Sequence, residues 1–309
     1  MKPETFINKL NSSLKSGIHD KEILSKEARF LRSTYLLKAL NNLSKILNLF
    51  DFQDTILFKN NVPHININDI LIKLDTMFFL KHTGRKFLSQ SIKSIEFIKF
   101  LKLNPKIIID IGSCWGEYTL FYAKEFPKCK IFSVEGSPLN FQNLLHNIKI
   151  NHQFKNIKPF NLIISDTDGI GEISNNLNTM NTTRDLSENN DKNFVKLRSK
   201  KLSTFLYENR LSKIDFIKID IEGSELKLLH QLKTNFIKML QIELISKNAI
   251  EKNLEFLKVL SEDFDFYNIE NFKQLSFTNL NVFVKQKLLA NPTVDLFLVS
   301  KKIDNFQRV

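Results

Sequence analysis

The chain has 309 residues, a hydrophobic share of 42% and 28 phenylalanines, which suits a packed core in one large domain or two ordinary ones and not the polar, highly charged make-up of a disordered chain. Lysine and arginine number 45 against 33 aspartates and glutamates, a net charge of +12; the lysines are spread along the chain with no basic arm, so no nucleic-acid partner is expected. No apolar run reaches the length of a membrane span, MKPETFINKL lacks the apolar core of a signal peptide, and two cysteines, Cys114 and Cys129, make neither a disulfide framework nor a zinc cluster, which points to the cytoplasm.

Residues 1–104 read as a helical N-terminal extension. Leu36, Leu40, Leu43, Leu47 and Phe50 recur at helical spacing, but over too few heptads for a coiled coil, so self-association stays open. TILFKNNVPHINI, near 55–67, suggests a hairpin turning at Asn60-Asn61. A helix with Leu88, Ile92, Ile95, Ile98 and Leu101 on its apolar face follows and stops at Asn104-Pro105. From 105 to 309 the texture changes. The short apolar runs 106–111, 130–135, 157–165, 214–221 and 237–245 alternate with helical stretches, the pattern of an α/β domain with a mostly parallel sheet covered on both faces. FDFYNI (264–269) and VDLFLVS (294–300) have no convincing helix between them and are expected to pair antiparallel at one edge. The polar stretch between Glu172 and Lys201 reads as a long functional or mobile loop.

Chemistry concentrates at the ends of these runs. Asp110-Ile-Gly112-Ser-Cys-Trp-Gly116 follows the first apolar strand and opens a helix, in a chain with only 8 glycines. Open parallel sheets bind ligands beyond their carboxyl ends, and amides at a helix start face an anionic group. The dinucleotide fingerprint fits poorly, because the glycines it would want at 110 and 115 are Asp110 and Trp115. An acid here opposes a phosphate and suits a cation. S-adenosylmethionine carries an amino group, a sulfonium and a carboxylate for the amides. Glu135, at the end of the second strand, can accept hydrogen bonds from ribose hydroxyls. IDFIKIDIEGSE places Lys218, Asp220 and Glu222 on one side of an extended strand. Glu243, in the next run, is a candidate ion-pair partner for Lys218.

The segments IDIGSCWGEYTL (109–120), FSVEGSPLNFQNLLHNIKIN (132–151), SDTDG (165–169) and IDFIKIDIEGSELKLL (214–229) together resemble the FkbM family of S-adenosylmethionine-dependent methyltransferases. The resemblance implies a Rossmann-like class I methyltransferase sheet with an antiparallel edge strand. It implies a cofactor site of Asp110, Gly112, Ser113, Gly116, Thr119, Glu135, Gly136, Ser137 and Asp166, with Asp110, Gly112 and Gly116 beside the methionine moiety, Glu135 on the ribose and Asp166 near the adenine. Asp220 and Glu222 would face the transferred methyl. The chain departs from the family pattern at Cys114, Gly136 and Ser203. Such enzymes mostly methylate hydroxyl oxygens of sugars, glycans, lipids or secondary metabolites. A hydroxyl needs a base, for which Asp220 is the first candidate and Glu222 the second. No residue is assigned as a metal ligand, although Asp220, Glu222 and Glu243 are hard oxygen donors that keep a divalent ion as an alternative. An RNA or protein methyltransferase, or a non-catalytic cofactor-binding module on the same fold, remain the rival readings.

Overall fold

The computed structural model describes residues 56–59, 62–67, 69–73, 84–174, 183–184, 194–228, 231, 237–245, 250–291 and 293–302. The helix expected through Leu36–Phe50 lies outside them. The described residues divide between two compact units, the first ending at Ser91 and also taking in Lys149–Asn151.

The first unit holds a three-stranded antiparallel sheet of β1 (Ile56–Lys59), β2 (Val62–Ile67) and β3 (Ile70–Lys73). β1 and β2 pair up to Lys59↔Val62, and β2 and β3 up to Ile67↔Ile70. Asp69 takes a φ of 61° in the second link, the left-handed geometry that two-residue hairpins demand. Asn151 completes the free side of β3, accepting from the Leu71 amide at 2.8 Å and donating to its carbonyl at 2.7 Å.

The second unit begins at Ile92, within α1 (Gly84–Phe100); the helix runs on to a left-handed Lys102, and Leu103 N–H closes on Ile98 O at 3.1 Å, so it stops just short of Asn104-Pro105. Then come β4 (Ile107–Ile111), α2 (Glu117–Glu125), β5 (Lys130–Glu135), α3 (Pro138–Ile150), β6 (Ile157–Asn161), β7 (Ile163–Ser165), β8 (Gly169–Ser174), β9 (Thr183–Arg184) and β10 (Phe194–Lys201). The chain continues through α4 (Leu202–Glu208), β11 (Ile214–Ile219), a 3-10 turn (Glu225–Leu228), β12 (Ile237–Ile245), α5 (Ile250–Leu260), β13 (Phe264–Asn268), β14 (Gln274–Leu275), α6 (Phe277–Ala290) and β15 (Thr293–Ser300).

Eight strands form the main sheet in the order β14-β13-β15-β12-β11-β4-β5-β6. The pairs from β12 through to β6 are parallel, whereas β15 runs antiparallel to both its neighbours. This is the mostly parallel α/β sheet that the sequence implies. Apolar strands explain it: β4, β11 and β12 bury Ile109, Ile111, Ile217, Ile219, Leu240 and Ile242 completely or nearly so, as strands covered on both faces must. At the amino ends, Asp215 ties three strands together. Its carboxylate accepts from the amides of Lys106 and Ile107 at 2.7 and 3.0 Å and from Lys238 at 2.6 Å.

Four elements differ from the sequence expectation. The run 157–165 breaks at Leu162 into β6 of the main sheet and β7 of a smaller sheet ordered β7-β10-β8-β9. The polar stretch 172–201 is strand at both ends, with Phe194–Ser199 paired antiparallel to Ser174–Gly169. The stretch after Ser224, expected as a helix, forms a 3-10 turn over Glu225–Leu228. A 14-residue helix, α6, joins β13 and β15; it buries Leu280, Val284 and Leu288, one residue per turn, and its start is capped by Ser276 Oγ accepting from Asn279 N–H. The pairing of 264–268 with 296–300 is antiparallel as expected, with β15 set inside the sheet beside β12.

An aromatic cluster holds α1 to this sheet. The fully buried Phe97 ring stacks on Phe297 at 4.2 Å between centroids and meets Tyr267 and Phe272 at 5.3 and 5.2 Å. Phe97→Ala is expected to lower unfolding stability by about 3–5 kcal/mol in urea titration; a loss under about 1 kcal/mol would mean that the ring is not packed in the core as described.

Candidate active site

The strand order turns at β4, which has β5 on one side and β11 on the other, so the carboxyl ends of these three strands frame the crevice where such sheets take ligands. The turn after β4 is built on two left-handed glycines, Gly112 at φ 79° and Gly116 at φ 86°. A Cβ on Gly112 would lie 1.8 Å from the Asp220 carbonyl oxygen, and one on Gly116 2.4 Å from Leu144 Cδ1. Gly112 therefore excludes a side chain for steric as well as conformational reasons, and Gly116 chiefly for its left-handed backbone. The amides of Gly112 and Ser113 both donate to Val134 O, at 2.9 and 3.0 Å, which locks the turn to β5. Ser113 Oγ is buried without a hydrogen-bond partner.

Glu135 ends β5 and is 6% exposed. One carboxylate oxygen accepts from Ser137 N–H at 2.7 Å and the other from Cys114 N–H at 2.8 Å, leaving lone pairs on each. Burial pushes this carboxyl up to about 7, against the two amides that lower it. Cys114 serves this contact through its backbone, at a φ of 49°. Asn161 of β6 donates to the carbonyls of Glu135 and Gly136 at 2.8 and 3.0 Å. Ser137 is buried and its Oγ accepts from Asn140 N–H at the start of α3.

Asp110 is fully buried. Its Oδ2 accepts from Thr119 Oγ1 at 2.6 Å, and Thr119 Oγ1 also meets Ser133 Oγ at 2.7 Å; Thr119 thus acts on Asp110. Burial raises the Asp110 carboxyl while Lys218 and Thr119 pull it down. Lys218 lies 3.9 Å from Asp110 Oδ1 and 3.0 Å from Asp220 Oδ2, above the Tyr118 ring at 4.5 Å. Burial alone would lower the Lys218 ammonium, but Asp220 and Asp110 hold it above the ordinary lysine range. The expected Lys218–Glu243 pair is thus replaced by a bridge to two aspartates. Register explains it: Lys218 stands opposite Asp110 on one side and Gln241 on the other.

Beyond Ile219 the strand ends. Asp220 N–H still reaches Ile111 O at 3.1 Å, and then Glu222 turns left-handed at φ 54°. Glu225 fixes this turn, its Oε1 accepting from the amides of Ile221 and Gly223 at 2.9 and 3.2 Å. Burial pushes Glu225 up to about 7. Oxygens of Asp220, Glu222 and Glu243 lie within 4.8 Å of one another. Burial, together with Asp220, Asp295 and Glu222, holds Glu243 well above the usual carboxylate range. Asp295, directly opposite Glu243 in the β12–β15 register, and Glu225 were missed in the sequence. Glu225 was readable from the second acid of the E-G-S-E turn; Asp295 had no local signal. Asp166 is exposed in the turn after β7, accepting from Ser165 Oγ at 2.9 Å, and Trp115 is buried with its indole N–H on Asn140 at 3.1 Å.

The model of the methyltransferase FkbM domain matches residues 110–272, just over half of the chain. The chain belongs to the FkbM methyltransferase family. Methyltransferase sdnD of Sordaria araneosa is 26% identical over 158 aligned residues, covering 42% of this chain and 61% of that protein; the match thus spans less than two thirds of its relative. Among solved structures, the precorrin-6y C5,15-methyltransferase of Geobacter metallireducens GS-15 is similar at a TM-score of 0.40 and 12% identity, covering 76% of this chain and 95% of that one. TYW2 of M. jannaschii, solved with AdoMet, is similar at 0.40 and 13%, covering 79% and 87%. With family membership S-adenosylmethionine enters as the methyl donor, and the donor set of this FkbM methyltransferase suits it: a buried carboxylate with spare lone pairs, amides at a helix start, and an excess of acid for a sulfonium.

Gly112→Ala is expected to destabilise the fold by about 1–3 kcal/mol, seen as a lower Tm; an unchanged Tm would mean that the tips of β4 and β11 separate freely.

Proposed function

We propose that this FkbM methyltransferase methylates a hydroxyl oxygen on a sugar, glycan, lipid or secondary metabolite, with Asp220 as the base. The observation that carries the reading is the partly exposed Asp220 carboxylate, 31% accessible, standing between buried Lys218 and the acids Glu222 and Glu243. When bound, the donor supplies an electrophilic methyl on a positively charged sulfur. In this reading Glu135 accepts from the ribose hydroxyls, the amides at the start of α2 face the methionine carboxylate, and Gly112 and Gly116 keep the turn low enough for close approach. Asp220 orients the acceptor hydroxyl and takes its proton as the new C–O bond forms. Glu222 lies within reach as a second acceptor. A wall of acids disfavours an acceptor rich in phosphate, which argues against RNA despite the chain's net charge.

The donor assignment is tested by calorimetric titration with S-adenosylhomocysteine. Binding is expected in the micromolar range and to be sharply weakened in Glu135→Ala. Ribose hydroxyls stabilise the ionised form of Glu135, whose carboxyl is held at about 7 in the free protein. Affinity should therefore be flat above that pH and fall, by up to about tenfold per pH unit, below it. Glu135→Gln should flatten this dependence; a wild type that binds equally at all pH values would remove Glu135 from the ribose.

The base is tested by labelled methyl transfer to cell glycan and lipid fractions. Asp220→Asn should cut turnover by about 100-fold or more while binding S-adenosylhomocysteine nearly as well as wild type. Retention of most of the turnover would show the assignment of the base to be wrong.

A further inference from the structure

Lys218 is the one element of the site that the methyl-transfer chemistry does not ask for. A cation has no evident business beside a cationic donor. It is nevertheless 3% exposed, in the middle of the sheet, with its ammonium 3.0 Å from Asp220 Oδ2, 3.9 Å from Asp110 Oδ1 and 4.5 Å from the Tyr118 ring centroid. Its two aspartates stand on adjacent strands, Asp110 on β4 and Asp220 just past β11, and on the same face, since alternate residues of a strand share a face. Without the ammonium, two carboxylates would face the donor region with nothing between them. With it, a cation stands between the two acids and offsets part of their charge.

The charge matters because the reaction consumes one. As the methyl passes to an oxygen, the C–S bond breaks and sulfur goes from a cationic sulfonium to a neutral thioether, while the acceptor's proton leaves to the base. A strongly negative site would hold the charged reactant more tightly than the half-neutralised transition state, and such ground-state binding slows the chemical step. We infer that Lys218, through its bridge to Asp110 and Asp220, is the residue that sets how strongly the site prefers a cationic donor over the neutral thioether left behind. It acts by offsetting the acids, and touches neither ligand directly. The inference rests on the donor assignment above.

The test compares calorimetric affinities for S-adenosylmethionine and S-adenosylhomocysteine in one and the same buffer. Lys218→Met keeps the length and apolar stem of the side chain and removes its charge. It is expected to raise the preference for S-adenosylmethionine over S-adenosylhomocysteine by about tenfold relative to wild type, a change of one pKa unit in equivalent terms. Lys218→Arg, which keeps the charge, should leave the ratio near wild type. Asp110→Asn removes one acid and should move the ratio the other way, which keeps the inference testable if Lys218→Met does not fold. A merely structural lysine would weaken both ligands by the same factor and leave the ratio alone; that result, or an unchanged ratio in Asp110→Asn, overturns the inference while the donor assignment stands. If the wild type binds neither nucleoside, the donor assignment falls and this inference with it.

Discussion

The parallel pairing of β4 with β11 is the constraint on which the site depends. It sets Lys218 opposite Asp110, carries Asp220 N–H onto Ile111 O, and brings the Asp220 carbonyl so close to Gly112 that no side chain fits between. A buried ammonium shared by two carboxylates is costly to assemble from water and destabilising to break by removing one partner. The strand tips are therefore held in one relative position by backbone contact and by charge at the same time. That rigidity is what a displacement reaction needs from its scaffold, since it succeeds only when donor and acceptor atoms are aligned.

Around this junction the site divides into two chemically distinct halves. On the β5 side the groups are inward-facing and satisfied: Glu135 is held by two amides, Ser137 by α3, and the Glu135–Gly136 carbonyls by Asn161. On the β12 side the acids are crowded, partly exposed and in electrostatic conflict, with Glu243 pushed up by Asp220, Asp295 and Glu222. Conflict of that kind is usual where protons are moved and unusual where a structure only needs to be stable. Glu225, from beneath, fixes the left-handed turn that presents Glu222.

Much of the sheet was legible because parallel strands covered on both faces are built mainly of apolar residues, as KIIIDI, IDFIKI and IKMLQIELI are apart from a few polar positions. The acids at strand ends were legible for the converse reason: a carboxylate there has no packing role. What could not be read is long-range. Glu243 is a candidate partner for Lys218 on a neighbouring strand, but the register, which no local pattern carries, sets Gln241 and Asp110 beside the lysine. The break at Leu162 and the strand Phe194–Lys201 are decided by pairing in a second sheet, which a polar sequence does not announce. The helix Phe277–Ala290 carried a local signal, the Ser276 cap and the spacing of Leu280, Val284 and Leu288, hidden by interspersed valine, phenylalanine and asparagine.

In the proposed reading two carboxylates stand at strand tips on either side of β4: Glu135, held by amides, takes the ribose of the donor, and Asp220, beside the bridging lysine, faces its sulfur. A crystal structure grown with S-adenosylhomocysteine addresses this most directly. The account predicts ligand density across the ends of β4 and β5, with the ribose hydroxyls on Glu135 and the sulfur turned toward Asp220. Density elsewhere on the protein, or a ribose that leaves Glu135 untouched, would contradict it.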